Sequence, residues 1–427
     1  MAYRIKKSDI TPQQRTEIQK TLKITPAKDN YFNPHAIVAP IYFYFTQGDT
    51  AIVPYTAASE IFDLIPNDQL QHSSMNVQFT GTLRDHQIPI YDEAIDHLQN
   101  YGTTTLNLYP GAGKTAISVK IATTLKYLTV VLVTQIILVN QWHQTITKNT
   151  NAKVWLVGEE KQPPTFDVII CLDKRFNVIG DDVKCKIGTM IIDEAHMFCT
   201  PSHVPCLLAF QPKFVIALSA TLERDDMLHH MIYAICGEHG VYRESSTPFT
   251  VIKYHTGITS KSKLNKQGKV DFGQLQSELL MNPQRNQIIL NLVNQYSGDK
   301  ILILTKLVKH VNVLYNIIKD HATCDFLCGK KTHYTDRRVL IGTTHKIGTG
   351  FDQEACITFD GIRFNLLILV CSIKKYQMLV QNVGRVLRCD TPTIIHFVDD
   401  HFVSQNHWKF CEKWYTKRHA IINFNKK

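Results

Sequence analysis

Residues 106–122 read LNLYPGAGKTAISVKIA: a glycine turn ending in Lys-Thr, set between an apolar strand and a helical run. A phosphate-binding loop requires that context, and so requires an α/β fold to deliver it. Gly111 and Gly113 let the backbone curl so that N–H groups point inward at phosphate oxygens. Pro110 and Ala112 complete the turn, and the helix that follows adds its positive N-terminal end. Lys114 can reach β and γ phosphates, and Thr115 can offer its hydroxyl to Mg²⁺. One departure stands out: the usual leading Gly or Ala is Leu108 here.

The surrounding rhythm agrees with that fold. TVVLVT (129–134), DVIICL (167–172), TMIID (189–193) and FVIAL (214–218) are short apolar runs separated by helical patterns. Buried strands alternating with helices mark a parallel α/β sheet. KILILT (300–305), VKHVNVLYNIIKD (308–320), CDFLC (324–328), RVLIGT (338–343), LLILVC (366–371) and TIIHFV (393–398) repeat the pattern. Two α/β units therefore lie in tandem, over 81–245 and 246–427. SKSKLNKQGK (260–269) reads as a loop or linker. Residues 1–80 read as a small α+β accessory module. Its AIVAPIYFYF (36–45) and TAIVPY (50–55) form a hairpin about QGD, and TAASEIFDLI (56–65) forms a short helix.

TMIIDEAHMF (189–198) places a carboxylate pair at a strand end. Asp193 is placed to hold Mg²⁺, and Glu194 to polarise an attacking water as general base. Isolated Asp-Glu pairs are usually solvated. One that follows an apolar strand downstream of a phosphate loop points to nucleotide hydrolysis.

Charge and composition narrow the partners. Of 47 Lys plus Arg and 37 Asp plus Glu, residues 1–245 hold 21 and 24, leaving 26 and 13 for residues 246–427. The whole excess sits in the second half, which is either a polyanion-binding surface or a well-solvated basic one. No apolar run is long enough to span a membrane, and the first residues hold no signal-peptide core. The eleven cysteines include no CxxC pair, and Cys324 and Cys328 have no second pair to complete a zinc site. Reduced thiols in a cytoplasmic or nuclear compartment are expected.

From Asp193-Glu194-Ala195-His196 onward the chain resembles the superfamily 2 helicases of the DEAH type. LRDHQ (83–87) resembles the motif before the phosphate loop, with Gln87 and Arg84 at the adenine. LVTQIILVNQW (132–142) resembles the segment that touches the nucleic-acid backbone. Its Gln141-Trp142 ending is similar to the XPB, UvsW and type III restriction group. ALSATLERDDM (217–227) is similar to the SATPxRxDG form, with Leu222 for Pro and Met227 for Gly. VLIGTTHKIGTGFD (339–352) resembles the fifth motif, and QNVGRVLR (381–388) matches the sixth throughout. The resemblance covers about residues 80–400 and is shared with compact poxvirus and asfarvirus DNA helicases.

The resemblance implies two RecA-like domains with ATP and Mg²⁺ held between them. Lys114, Thr115, Asp193 and Glu194 come from the first domain. Arg385 and Arg388 come from the second, Arg388 as the arginine finger, with Gln381 orienting the γ-phosphate or the water. Gly350 and Asp352 join that site to the nucleic acid. His196, Ser219, Ala220 and Thr221 link the nucleotide to the domain interface. Thr134, Gln135, Thr305, Lys306, Thr343 and Thr344 meet the phosphate backbone. The basic runs Lys261–Lys269 and Lys409–Lys427 either widen that footprint or are solvated loop and tail.

Local readings compete at some positions. Ser219 and Thr221 can serve as helix caps. Arg385 and Arg388 can form a solvated pair. Trp142 reads as a packing residue before a base-stacking one. The implied activity is an ATP-driven DNA helicase or translocase, 3′ to 5′ by family tendency, acting as a monomer, with transcription or replication proteins as partners. A viral origin would add the virion or viral factory as a location. An RNA helicase and a non-motor ATPase switch are the alternatives. The DNA recognition modules that precede such motors are similar in position to residues 1–80.

Overall fold

A strand buried on both faces needs apolar residues at every position, and TVVLV (129–133) and ILILT (301–305) supply them. In the computed structural model each such run is a central strand of a parallel sheet. The described residues are 2–27, 39–260, 270–331, 333–348, 351–354 and 356–425. They divide into two compact units, Met1–Glu244 and Ser245–Lys427.

Unit 1 begins with β1 (Ala2–Lys6), α1 (Pro12–Thr21), the two-residue strands β2 (Lys23–Ile24) and β3 (Ile41–Tyr42), β4 (Phe45–Gln47), β5 (Thr50–Pro54) and α2 (Tyr55–Phe62). Thr11 and Gln14 form a capping box that starts α1, with Pro12 in the first turn. β1, β5 and β4 form an antiparallel sheet in the order β1-β5-β4. Ala2, Ile52 and Tyr55 share a core with Val130, Met190 and Ile232. The Asn67 side-chain amide donates to Ala2 O and Pro212 O. The N-terminal segment is therefore built into the α/β body.

That body follows as α3 (Ile88–Tyr101), β6 (Thr103–Leu108), α4 (Lys114–Leu125), β7 (Thr129–Val133), α5 (Ile136–Asn149), β8 (Val154–Leu156), β9 (Val168–Leu172), α6 (Asp181–Lys184), β10 (Thr189–Ile192), α7 (Val204–Leu207), β11 (Phe214–Ser219), α8 (His230–Cys236) and β12 (Val241–Arg243). The seven strands run parallel in the order β12-β6-β11-β10-β7-β9-β8.

Unit 2 contains β13 (Thr250–His255), α9 (Phe272–Met281), α10 (Pro283–Gln295), β14 (Ile301–Thr305), α11 (Val308–Ile318), β15 (Cys324–Leu327), β16 (Val339–Thr343), α12 (Thr344–Gly348), β17 (Leu366–Leu369), α13 (Tyr376–Val383), β18 (Thr393–Val398), α14 (Phe402–Lys417) and β19 (Ile421–Phe424). Its sheet is again seven parallel strands, ordered β15-β16-β14-β17-β18-β13-β19. Two buried ion pairs brace it. Arg285, 1% exposed, binds Asp399 at 2.8 Å. The Lys300 ammonium lies 2.5 Å from Asp336 and 2.7 Å from Asp360.

Some local expectations change. The run at 36–45 is not one strand: β3 pairs with β2, Phe43 is buried with its N–H on Leu22 O, and β4 starts at Phe45. Residues 36–38 lie outside the described residues. The helix after the phosphate loop stops at Leu125 because Lys126 turns left-handed (φ +61°). The basic stretch Lys409–Lys427 is not a solvated tail where it is described. It is the end of α14 and the strand β19, with Trp408, Cys411, Trp414 and Tyr415 buried. The basic run 261–269 lies outside the described residues. All eleven cysteines are free thiols. Among the described residues no helix is long and apolar enough to cross a membrane.

Candidate functional site

β6 ends at Leu108, and α4 begins at Lys114. Between them Gly111 (φ +95°) and Gly113 (φ +87°) take the left-handed backbone that the loop needs. Gln87 clasps this loop from outside. Its side-chain N–H donates to Ala112 O at 3.0 Å, and its Oε1 accepts from Arg84 N–H at 2.9 Å. A Cβ on Gly113 would lie 2.0 Å from Gln87 Nε2, so a side chain there would displace the Gln87 amide as well as strain the backbone. Lys114 bends back to donate to Leu108 O at 3.0 Å. Pro110 and Thr115 line the same turn, half-buried.

β10 delivers the carboxylates. Asp193 is 7% exposed and lies directly beyond its end. Its Oδ2 accepts the Trp142 indole N–H at 2.8 Å, and its Oδ1 accepts the Glu194 backbone N–H at 2.9 Å. Burial, and then the charge of Glu194, raise the Asp193 carboxyl above the usual range; the Trp142 N–H and the Lys114 ammonium pull it back. Glu194 sits at φ +49°, a strained backbone for a residue with a Cβ. Among the described residues its buried Oε2 has no hydrogen-bond partner; it lies 3.5 Å from His196 Nδ1.

The Ser-Ala-Thr stretch (219–221) joins here. His196 Nδ1 lies 3.1 Å from Ser219 Oγ, which also accepts the Thr221 N–H at 3.0 Å. Burial, reinforced by Arg224, lowers His196 to about 4, so its ring is neutral at pH 7. Arg224 donates to Asp226 at 2.8 Å and to His196 O at 2.7 Å. Ala220 is half-buried beside them. The Thr221 hydroxyl is buried without a hydrogen-bond partner among the described residues.

In unit 2 the fifth and sixth motifs lie together. Arg385 donates to Phe351 O at 2.6 Å and also to Gly348 O. Arg388 donates to Asp352 at 3.0 Å. Gln381 lies on α13, half-buried. Gly350 lies outside the described residues.

The residues assigned to the nucleic-acid backbone lie at or just beyond the C-terminal ends of β7, β14 and β16, the edge where α/β sheets take ligands. Thr134 has a buried hydroxyl without a partner, and Gln135 precedes α5. Lys306 is exposed, with its ammonium 5.1 Å from the Phe272 ring centre. Thr343 and Thr344 are largely buried. Thr305 is fully buried, 2.7 Å from His310 Nδ1, while His310 Nε2 lies 2.9 Å from Asn286 Oδ1. A carbonyl oxygen only accepts, so Nε2 carries the proton and Nδ1 accepts from Thr305. That hydroxyl faces the core.

Sequence reasoning missed the Trp142–Asp193 bond, the Arg224–Asp226 pair and the buried Gln353 amide on Asp336. The first two carried a signal in the Gln-Trp and LERDD stretches. Gln353 carried none.

Residues 80–224 match the family of the type III restriction enzyme res subunit. A protein of Invertebrate iridescent virus 6, provisionally named a helicase, is 28% identical over 88% of this chain and 89% of its own length. The chain is a superfamily 2 helicase. A mimivirus protein provisionally named an ATP-dependent RNA helicase is 24% identical, over 93% of this chain and 80% of its own length. The DNA 3′-5′ translocase XPB2 of Sulfurisphaera tokodaii is 25% identical over 44% of this helicase and 43% of its own length. In fold, this helicase is similar to yeast Dbp5 bound to RNA and ADP BeF3. The TM-score is 0.54 at 14% identity, covering 80% of this chain and 94% of Dbp5. It hydrolyses ATP and acts on nucleic acid, as its family does, and its two α/β units are RecA-like.

Proposed function

We propose that this helicase is a DNA translocase or helicase in which ATP bound at Gly111–Thr115 drives movement along one strand. The observation that carries the nucleotide part is the meeting of Lys114, Asp193 and Glu194 at the ends of β6 and β10. The orphaned Glu194 Oε2 and the glycine cradle closed by Gln87 fit a bound triphosphate and its attacking water. Mg²⁺ fits the same donor set: Asp193 and the Thr115 hydroxyl would hold it, and it would supply charge neutralisation of the phosphates. Glu194 takes the proton of the attacking water. Lys114 leaves Leu108 O for the phosphates. Arg385 and Arg388 leave their carbonyls and Asp352 to meet the charge that develops on the equatorial oxygens. His196, Ser219 and Thr221 pass the state of the nucleotide on.

We assign residues 1–80 as the accessory module, and 81–245 and 246–427 as the two motor domains. The DNA assignment is supported by Gln141-Trp142, by the Arg224–Asp226 pair of the LERDD stretch, by the restriction-enzyme family match and by the likeness to XPB2. The mimivirus relative supports an RNA helicase as the second reading. ATP hydrolysis measured with no nucleic acid, single-stranded DNA, duplex DNA and RNA decides between them. Stimulation by DNA above RNA is expected. Equal stimulation removes the DNA assignment, and none at all favours a non-motor ATPase switch.

A further inference from the structure

Trp142 lies on α5, about two turns beyond Gln135. It is 1% exposed among Met75, Val119, Ile146 and Ile191, beside a small apolar void of ≈ 10 Å³. Any large apolar side chain would serve that packing. The indole adds one polar atom, a donor with no acceptor capacity, and that atom meets Asp193 Oδ2 at 2.8 Å. The other carboxylate oxygen is held by the Glu194 backbone N–H at 2.9 Å. The two bonds come from different elements, so together they fix the rotation of the carboxylate.

We propose that Trp142 is a positioning residue that sets the Asp193 carboxylate for Mg²⁺ and ties it to α5. The inference rests on the reading of Asp193 as a Mg²⁺ holder. α5 follows directly on Thr134–Gln135, the pair assigned to the nucleic-acid backbone. A shift of α5 on binding nucleic acid moves the indole N–H, and with it the carboxylate. The metal site thereby senses the track through one hydrogen bond. Partners of metal ligands typically change affinity 10–100-fold when removed.

The test is Trp142→Phe, which keeps an aromatic ring and deletes the donor. A fluorescent nucleotide is titrated with Mg²⁺ and separately in EDTA. The half-saturating Mg²⁺ should rise about tenfold, with binding in EDTA changed less than about twofold. An unchanged Mg²⁺ dependence in a folded variant overturns the proposal. The hydrogen bond is tested independently with ¹⁵N-tryptophan-labelled protein, whose four tryptophans give four indole signals. Asp193→Ala should move one of them strongly. If none moves the proposal fails, even where Trp142→Phe does not fold. Wild-type protein whose nucleotide binding ignores Mg²⁺ removes the metal role of Asp193. That outcome is recognisable because the indole signal still moves.

Discussion

The Arg388 guanidinium lies 3.0 Å from the carboxylate of Asp352, while its neighbour Arg385 is bonded to backbone carbonyls of the same segment. The Arg388–Asp352 pair is partly exposed, and such pairs are worth about 1 kcal/mol or less. It is therefore easily exchanged for a polyphosphate. Asp352→Ala should keep basal ATP turnover but lose at least about fivefold of its stimulation by nucleic acid, the lower end of ordinary coupling between sites. Arg388→Ala should abolish both. Turnover measured with and without DNA separates these outcomes, and full activity in Arg388→Ala removes it as the finger.

Glu194 carries an unpartnered buried oxygen beside Asp193. Glu194→Gln should lower kcat by about 10²–10⁴-fold, the usual contribution of a positioned base, with nucleotide affinity nearly unchanged. A variant that turns over at the native rate would show that another group takes the proton.

Met227 stands where the related motif has glycine, at φ +63° and 42% exposed. A left-handed backbone costs a residue with a Cβ roughly 1–2 kcal/mol. Glycine gives back part of that gain through the freedom of its unfolded chain. Met227→Gly should still raise the melting temperature of unit 1, by about 2–4 °C. A fall would mean that the Met227 side chain contributes more than its backbone costs.

Burial lowers His396 to about 3, and burial reinforced by Arg285 does the same to His310, each from an ordinary 6.5. The folded protein resists protonation at these rings, and the unfolded chain does not. The unfolded state therefore takes up more protons between those limits, and stability falls as pH drops below 6.5. The slope is about 1.4 kcal/mol per pH unit for each ring. The urea midpoint of unfolding should be flat from pH 8 to 7 and decline from 6.5 to 5. A midpoint unchanged at pH 5 would contradict the buried, neutral state.

The central strands were legible because burial on both faces leaves an unbroken apolar run. β13 was not, since Lys253 and His255 interrupt it. β19 was not either, being a short strand with Ile421 and Phe424 exposed. The apolar period of Trp408, Cys411, Trp414 and Tyr415 was present on α14 but hidden among lysines. Site residues grouped in motifs could be named from their order along the chain. The Trp142–Asp193 bond could not: it spans 51 residues, and only the packing of α5 on β7, the sheet neighbour of β10, brings the two together. The inward turn of the Thr305 hydroxyl depends likewise on His310 and Asn286, which carry no motif.

β13 is the strand that follows directly from the tether to unit 1, and it is flanked by β18 and β19, both parallel to it. Tension applied along the chain at Thr250 would run along β13 and strain the hydrogen bonds on both sides together, as in a lap joint, rather than peel them apart one at a time. The short, largely exposed strand Ile421–Phe424 thus gives β13 a second hydrogen-bonded flank where the chain enters unit 2.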